Sequence, residues 1–350
     1  MCTHNTHSST KTKKSAGDLT FRMPSYTIAV MSTDFSPTLT VAEVTWNGRF
    51  LDAGHLPGFR GATLRGALGY HLRNTVCNSF QLKCFECFLR YQCAYSLFFE
   101  GTAPEDRKIM RLYKNSPQPF MFLLNAKDET DIKANNPFVF GMRMLGSVSE
   151  LFPYVAFSLF EAGKKGIGRE QLRYETETIE QDGTVLYTKE GATIRKPQSK
   201  ELSVPASTET APSVKVSLLS PLRIRSEGHT AKRLNFFDIA KAALRRLTIV
   251  NAFFGDGTLP PPEWSNHLLG LAKQVITLID SIRPFGFDRY SGRQERSVYL
   301  AGVLGEITFR DVPPEWLRLL RIMEAIGLGK STSFGFGRIA VTVCEKKGGT

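Results

Sequence analysis

The sequence predicts an α+β fold built from two similar units, on three observations. Strand-like and helix-like segments alternate along both halves, and a polar stretch separates the halves. The halves also finish alike: each runs from a helix through glycines into a strand, by way of Gly163-Lys-Lys-Gly-Ile-Gly168 in the first and Gly327 to Gly337 in the second. A duplicated unit accounts for this match, although helix, glycine, strand is a common order by itself. A chain of 350 residues is long enough for two domains.

The elements follow in order. Residues 1–24 are rich in Ser, Thr, Lys and Asn and read as a disordered tail. The N-terminal domain, 25–190, opens on the β-branched strand pattern of 25–35. Pro57-Gly58 then leads into a helix over 57–74, with apolar residues at Leu64, Ala67, Leu68 and Leu72. A Cys-rich insertion occupies 77–93. Residues 119–127 and 137–145 read as strands, 148–163 as a helix and 171–181 as a strand. Between them and the second half, 191–213 is a linker or long loop, poor in apolar residues and rich in Ser, Thr and Pro.

The C-terminal domain, 214–350, begins with a strand over 214–225. Helices follow over 236–255 and 264–282, then a hairpin over 297–310 around Gly302 and Gly305. A helix over 313–327 has proline at its start, and a strand over 338–346 closes the chain.

Composition narrows the function. With 42% hydrophobic and 11% aromatic residues the chain suits a globular protein, which excludes wholly disordered and collagenous classes. No membrane span is evident, and the first twenty residues lack the apolar stretch of a signal peptide, so a cytoplasmic protein is expected. The formal charge of +12 points to a polyanionic partner. Half of that excess sits in residues 215–246, where Lys215, Arg223, Arg225, Lys232, Arg233, Lys241, Arg245 and Arg246 face only Glu227 and Asp238. Such a patch positions a phosphate backbone without reading its sequence.

Two local patterns stand out. Gly327 to Gly337 reads GLGKSTSFGFG, and its Gly-Lys-Ser invites a phosphate-loop reading that fails, because position 324 is Glu and the segment follows a helix rather than a strand. Its glycines suit a backbone that approaches something closely, or a tight turn. The second pattern is Cys77-x6-Cys84-x2-Cys87-x5-Cys93. The Cys-x2-Cys spacing lets two thiolates share one ion, with zinc expected first, an iron–sulfur cluster second and a metal-free loop the remaining alternative. Cys2 and Cys344, remote in sequence, are expected to be free thiols.

These segments together resemble a known family. The glycine-rich segment before the last strand resembles that of the repeat-associated mysterious protein (RAMP) superfamily, specifically its CRISPR precursor-RNA processing endoribonucleases. LPGFRGATLRGALG (56–69) is similar to that family's first-helix motif, the cysteine cluster followed by AYSLFFEG (94–101) to its cysteine-containing variant, and RYSGRQ (289–294) before YLAGVLGEITF (299–309) to a segment of its second domain.

The resemblance implies two tandem ferredoxin-like domains, a CRISPR repeat RNA substrate, further effector-complex subunits as partners, and cleavage needing no cofactor. A non-catalytic member that only holds guide RNA is the alternative. Attack by a ribose 2′-hydroxyl requires a base, an acid and a cation. The family draws its catalytic histidine from around the first helix, which here offers His55 and His71, with Tyr70 and Lys330 in support. His71 falls among leucines, so a packing role is equally consistent with its position. Candidate RNA contacts are Arg60, Arg65, Arg223, Arg225, Arg245, Arg246, Arg289, Arg293, Gly329, Lys330, Ser331, Gly335 and Gly337.

Overall fold

Alternation of apolar and polar side chains sets up the first sheet. In Thr40–Phe50 (β1), Ala42, Val44 and Trp46 are buried while Glu43 and Thr45 are exposed, so one face of the strand is apolar. In the computed structural model, which describes residues 35, 37–101, 115–191, 193–204, 210–226, 228–291 and 296–344, this strand lies at the centre of its sheet. Helix α1 (Gly61–Val76) follows, then β2 (Phe120–Leu123), β3 (Phe140–Leu145), helix α2 (Phe152–Lys165), β4 (Tyr174–Gln181) and β5 (Thr184–Thr188). The antiparallel order is β2-β3-β1-β4-β5. Leu64, Leu68 and Leu72 of α1 and Phe152, Val155, Ala156 and Leu159 of α2 bury against Val44, Trp46 and Met142 in one core.

The second half repeats the plan. Its elements are β6 (Ala211–Leu222), α3 (Phe236–Phe254), α4 (Pro262–Ala272), β7 (Ile276–Asp280), β8 (Arg283–Ser291), β9 (Arg296–Val312), α5 (Pro314–Ile326) and β10 (Ile339–Val343). The strand order is β7-β9-β6-β10, with β8 also paired to β9. In each half the sheet runs second, third, first and last strand of a βαββαβ unit. Both halves are ferredoxin-like, and the expected α+β class with two such units holds.

Several sequence expectations are revised. The strand β1 was not foreseen, although its alternation is plain. The expected strand over 25–35 and the tail before it lie outside the described residues except for Phe35, whose ring meets Trp264 edge-on. The expected helix over 264–282 ends at Ala272, because Ile276, Thr277 and Ile279 are β-branched and go into the edge strand β7. The expected hairpin within 297–310 is one continuous strand, β9. Its hairpin partner is β8, and Gly305, at φ +131°, sits where its register against β6 shifts. Cys344, expected free, is disulfide-bonded. Within the expected linker, Lys200 and Glu201 pair with β1 of the first sheet. No described helix is long and apolar enough to cross a membrane.

The halves are clamped together around the glycine-rich segment. The carbonyl oxygen of Phe334 approaches Gly61 so closely that a methyl group there would overlap it. Phe336 is fully buried, with its ring edge-on to Phe59 at 5.4 Å. Arg143 of β3 donates to the carbonyls of Glu324 (2.6 Å) and Ala325 (2.7 Å), and Arg246 of α3 to that of Ile326 (2.8 Å). These two cations satisfy carbonyls that α5 leaves free at its C-terminus, where the helix dipole favours positive charge. The loop also covers the outer face of β2, so all four β2 residues are buried although the strand lies at a sheet edge.

This clamp generates a paired expectation for stability. Gly61→Ala should destabilise the protein by about 1–3 kcal/mol through overpacking. Gly66→Ala, on the same helix with open space at its Cβ position, should stabilise by about 0.5–1 kcal/mol. Urea unfolding of the two variants beside the parent checks both signs, and equal effects would remove the clamp from the account.

Candidate functional site

Two clefts open on either side of α1. The first, about 1560 Å³, is lined by His55, Tyr70 and His71, by Glu161 and Lys165 of α2, by Gly166–Gln171, and by Phe287 and Asp288 of β8. The second, about 850 Å³, is lined by Arg65, Arg223, Arg225, Lys241, Arg245, Lys330 and the loop from Gly329 to Phe334, against only Glu100 and Asp238 as carboxylates. Three of the four expected catalytic residues therefore share one cleft. The fourth, Lys330, lines the other.

In the first cleft His55 is held by two carboxylates. Its Nδ1 lies 3.1 Å from Asp131 Oδ1, and its backbone N–H donates to Glu170 Oε2 at 3.0 Å. A carboxylate accepts only, so this contact places the Nδ1 proton toward Asp131 and leaves Nε2 without a proton in the neutral ring. The side chain keeps 57% of its surface exposed, so Nε2 is accessible to a ligand. His71 sits deeper, with its ring edge-on to Tyr70 at 5.1 Å. Burial pushes its pKa down; Glu161 raises it and Lys165 lowers it, with a net downward shift. Tyr70 is exposed.

The second cleft concentrates positive charge. Burial lowers the pKa of Lys330, and repulsion from Arg245, Arg225 and Arg223 lowers it further. Arg223 is lowered by burial and by Arg225 in the same way. Arg65 reaches in from α1, with its guanidinium 4.4 Å above the Phe334 ring and 5.2 Å from that of Phe99. Its Nε donates to Gln118 Oε1 (3.1 Å) and Ser333 Oγ (3.3 Å). An anion entering here would relieve the mutual repulsion of these cations.

Other expected RNA contacts have different surroundings. Arg60 is 7% exposed, donates to the Glu129 carbonyl at 2.8 Å, pairs with Asp128 and lies over the rings of Phe50 and Phe138, which makes it a packing residue outside both clefts. Arg246 borders the second cleft, but its guanidinium is committed to Ile326; burial pushes its pKa down to about 10, so it remains charged at neutral pH. Gly335 and Gly337 are buried. A side chain at Gly337 would overlap the Leu328 carbonyl, and one at Gly335 would lie 3.0 Å from that of Phe122, so their close approach is to protein. Both have φ above +80°, the region that favours glycine. Arg289 lies in β8, and Arg293 falls outside the described residues.

The four clustered cysteines are reduced and line a third, small cavity. Among the described residues no three His, Cys, Asp or Glu side chains form a ready-made metal-binding set. Sequence reasoning missed Asp131, which lies 76 residues from His55 and carries no local signal. It also left Lys165 and Arg169 without a role, although the glycine stretch beside them matches the C-terminal loop and lines the histidine cleft as that loop lines the basic one.

Comparison with known proteins bears on the same two halves. Residues 216–339 match the family model of the CRISPR-associated endoribonuclease Cas6, and residues 39–201 match an AF_1859-type N-terminal domain. No curated protein sequence matches. Among solved structures, a partial Cas6-RT-Cas1–Cas2 complex is similar with a TM-score of 0.50 at 13% identity, over 89% of this chain and 47% of that one. A Cas6 product complex gives 0.49 at 16% identity over 87% and 100%, and Thermus thermophilus Cas6 gives 0.49 at 12% identity over 88% and 100%. At these identities the structural likeness shows the fold alone.

The surroundings of His71 predict a pH effect. Its folded-state pKa lies below the ordinary value of about 6.5, so the unfolded chain binds its proton more readily. Stability should therefore fall as pH drops from about 6.5 toward the folded value, and His71→Gln should lessen that loss. The NMR titration of the His71 ring should show a midpoint below that of a free histidine; a midpoint above it would contradict the burial.

Proposed function

We propose that the chain acts as a CRISPR-associated Cas6 endoribonuclease, the family whose model matches residues 216–339, and that it cuts a CRISPR repeat RNA. The observation that carries the proposal is the His55 imidazole, fixed by Asp131 and open to a cleft large enough for nucleotides. The RNA backbone lies in the basic cleft against Arg223, Arg225, Arg245 and Lys330, and crosses α1 so that the scissile phosphate reaches the histidine cleft. Ser331 and the Gly329 backbone line the basic cleft beside Lys330 and contact the same backbone.

His55 Nε2 removes the proton of the ribose 2′-hydroxyl, and the oxygen attacks the adjacent phosphorus. The bond to the 5′-oxygen breaks, and Tyr70 protonates the leaving oxygen, with His71 positioning its ring. Lys165 and Arg169 line the same cleft and face the charge that develops on the phosphate. The products are a 2′,3′-cyclic phosphate and a 5′-hydroxyl, and no step requires a divalent ion.

His55→Ala should lower the single-turnover rate by about 10²-fold or more while RNA affinity is kept, since a general base acts mainly in the transition state. Lys330→Ala should do the reverse, weakening affinity and flattening its salt dependence. A His55→Ala variant that cuts at the parental rate would remove the assignment.

A second expectation concerns the ion and the product. Cleavage of the labelled repeat should persist in EDTA, and its upstream fragment should resist phosphatase until mild acid opens the cyclic phosphate to a monoester, after which phosphatase removes that phosphate and slows the fragment on a gel. Complete loss of cutting in EDTA, restored by Mg²⁺, would overturn the metal-independent scheme.

A further inference from the structure

Between α1 and the short helical turn Ser96–Glu100, the chain forms an excursion that joins neither sheet. Its apolar side chains point the wrong way for a loop held by its own core: Phe80, Leu82, Phe85, Phe88 and Tyr91 are all exposed, Phe88 at 81%. The four thiols are half-buried, together with Ser79 and Arg90. Cys77, Cys84, Cys87 and Cys93 line a single cavity of about 30 Å³, distinct from both clefts. That leaves room for one small ion.

Local backbone structure directs the thiols there. Cys84–Glu86 is a tight turn closed by the Cys87 N–H on the Cys84 carbonyl at 3.2 Å, which carries the Cys-x2-Cys pair around a corner. A second turn places the Cys93 N–H on the Leu89 carbonyl at 2.8 Å, and Cys77 closes α1. No carboxylate or imidazole lines the cavity, whereas Arg90 does. Beside the four sulfurs stand only the neutral amide and hydroxyl groups of Asn78, Ser79, Tyr95 and Ser96, so the strong metal ligands are thiols, with a cation at hand to offset the double negative charge of four thiolates around a divalent metal.

We propose that Cys77, Cys84, Cys87 and Cys93 bind one zinc ion as a tetrahedral structural site that holds this excursion folded. These four thiols form no ready-made ligand set, and as neutral thiols they have no mutual attraction that would draw them into one. Zinc supplies that attraction: it displaces one proton from each thiol, forms four Zn–S bonds and draws the sulfurs into the cavity between them. Binding and folding of the excursion are then one event. The site is structural and has no part in the cleavage chemistry.

The test is metal analysis of the full-length protein purified under reducing, anaerobic conditions. About one zinc per chain is expected, and Cys84→Ser and Cys87→Ser should each lower both zinc content and melting temperature. Wild-type protein stripped of metal and given Co²⁺ should show the visible bands of tetrahedral cobalt thiolate, a reading that holds even where a Ser variant fails to fold. Protein that contains no zinc and takes up neither Zn²⁺ nor Co²⁺ while its thiols stay reactive would overturn the proposal. So would iron and inorganic sulfide with visible charge-transfer absorption, which would mark a cluster in place of a single ion.

Discussion

The seat of the Phe334 carbonyl on Gly61 is the contact on which the rest of the molecule's functional geometry depends. It brings a loop of the second ferredoxin-like unit onto the first turn of the first unit's leading helix, at a distance only a glycine permits. Around it, Phe336 fills the gap beneath Phe59, and Arg143 and Arg246 close the end of α5 from opposite halves. Because α1 is held between the loop on one side and α2 on the other, it becomes a wall. The histidine cleft and the basic cleft are the spaces on its two sides.

That wall separates two kinds of chemistry that interfere when mixed. Strong positive charge suits a phosphate backbone, but it disfavours any further cation nearby: the pKa of Lys330 is lowered first by burial and then further by Arg245, Arg225 and Arg223. Proton transfer instead needs groups that change charge near neutral pH, and those sit with Glu161, Glu170 and Asp288 as well as with Lys165 and Arg169. Each cleft takes one of the two repeated glycine stretches. The two stretches occupy equivalent positions, between the second helix and last strand of their units, yet one borders carboxylates and imidazoles and the other borders arginines.

Arginine shows how burial decides role. Arg60 and Arg246 carry the same guanidinium as Arg223 and Arg245, but are 7% exposed and spend their donors on backbone carbonyls. A buried cation left unpaired would cost several kcal/mol, so such residues are committed to the fold. In the proposed function, phosphate contact falls to the arginines that line the basic cleft.

Local pattern determined much by itself. Periodicity placed α1, α2, α3 and α5, charge counting located the basic segment around residues 215–246, and the cysteine spacing marked the excursion, because each is a property of residues close in sequence. The matching ends of the halves likewise pointed to a duplicated unit, whose ferredoxin-like plan the family resemblance implied. Tertiary structure decided what depends on distant residues meeting. Asp131 orients His55 from 76 positions away, Gly61 receives a carbonyl from the far end of the chain, and β9 is one long strand because its partners β6 and β8 extend along it. Sequence motif assigned Arg60, Gly335 and Gly337 to RNA and set Lys330 both with the histidines and among the RNA contacts; packing turned the first three inward and set Lys330 across α1 in the basic cleft, since burial is fixed by every neighbour at once and motif only by those nearby.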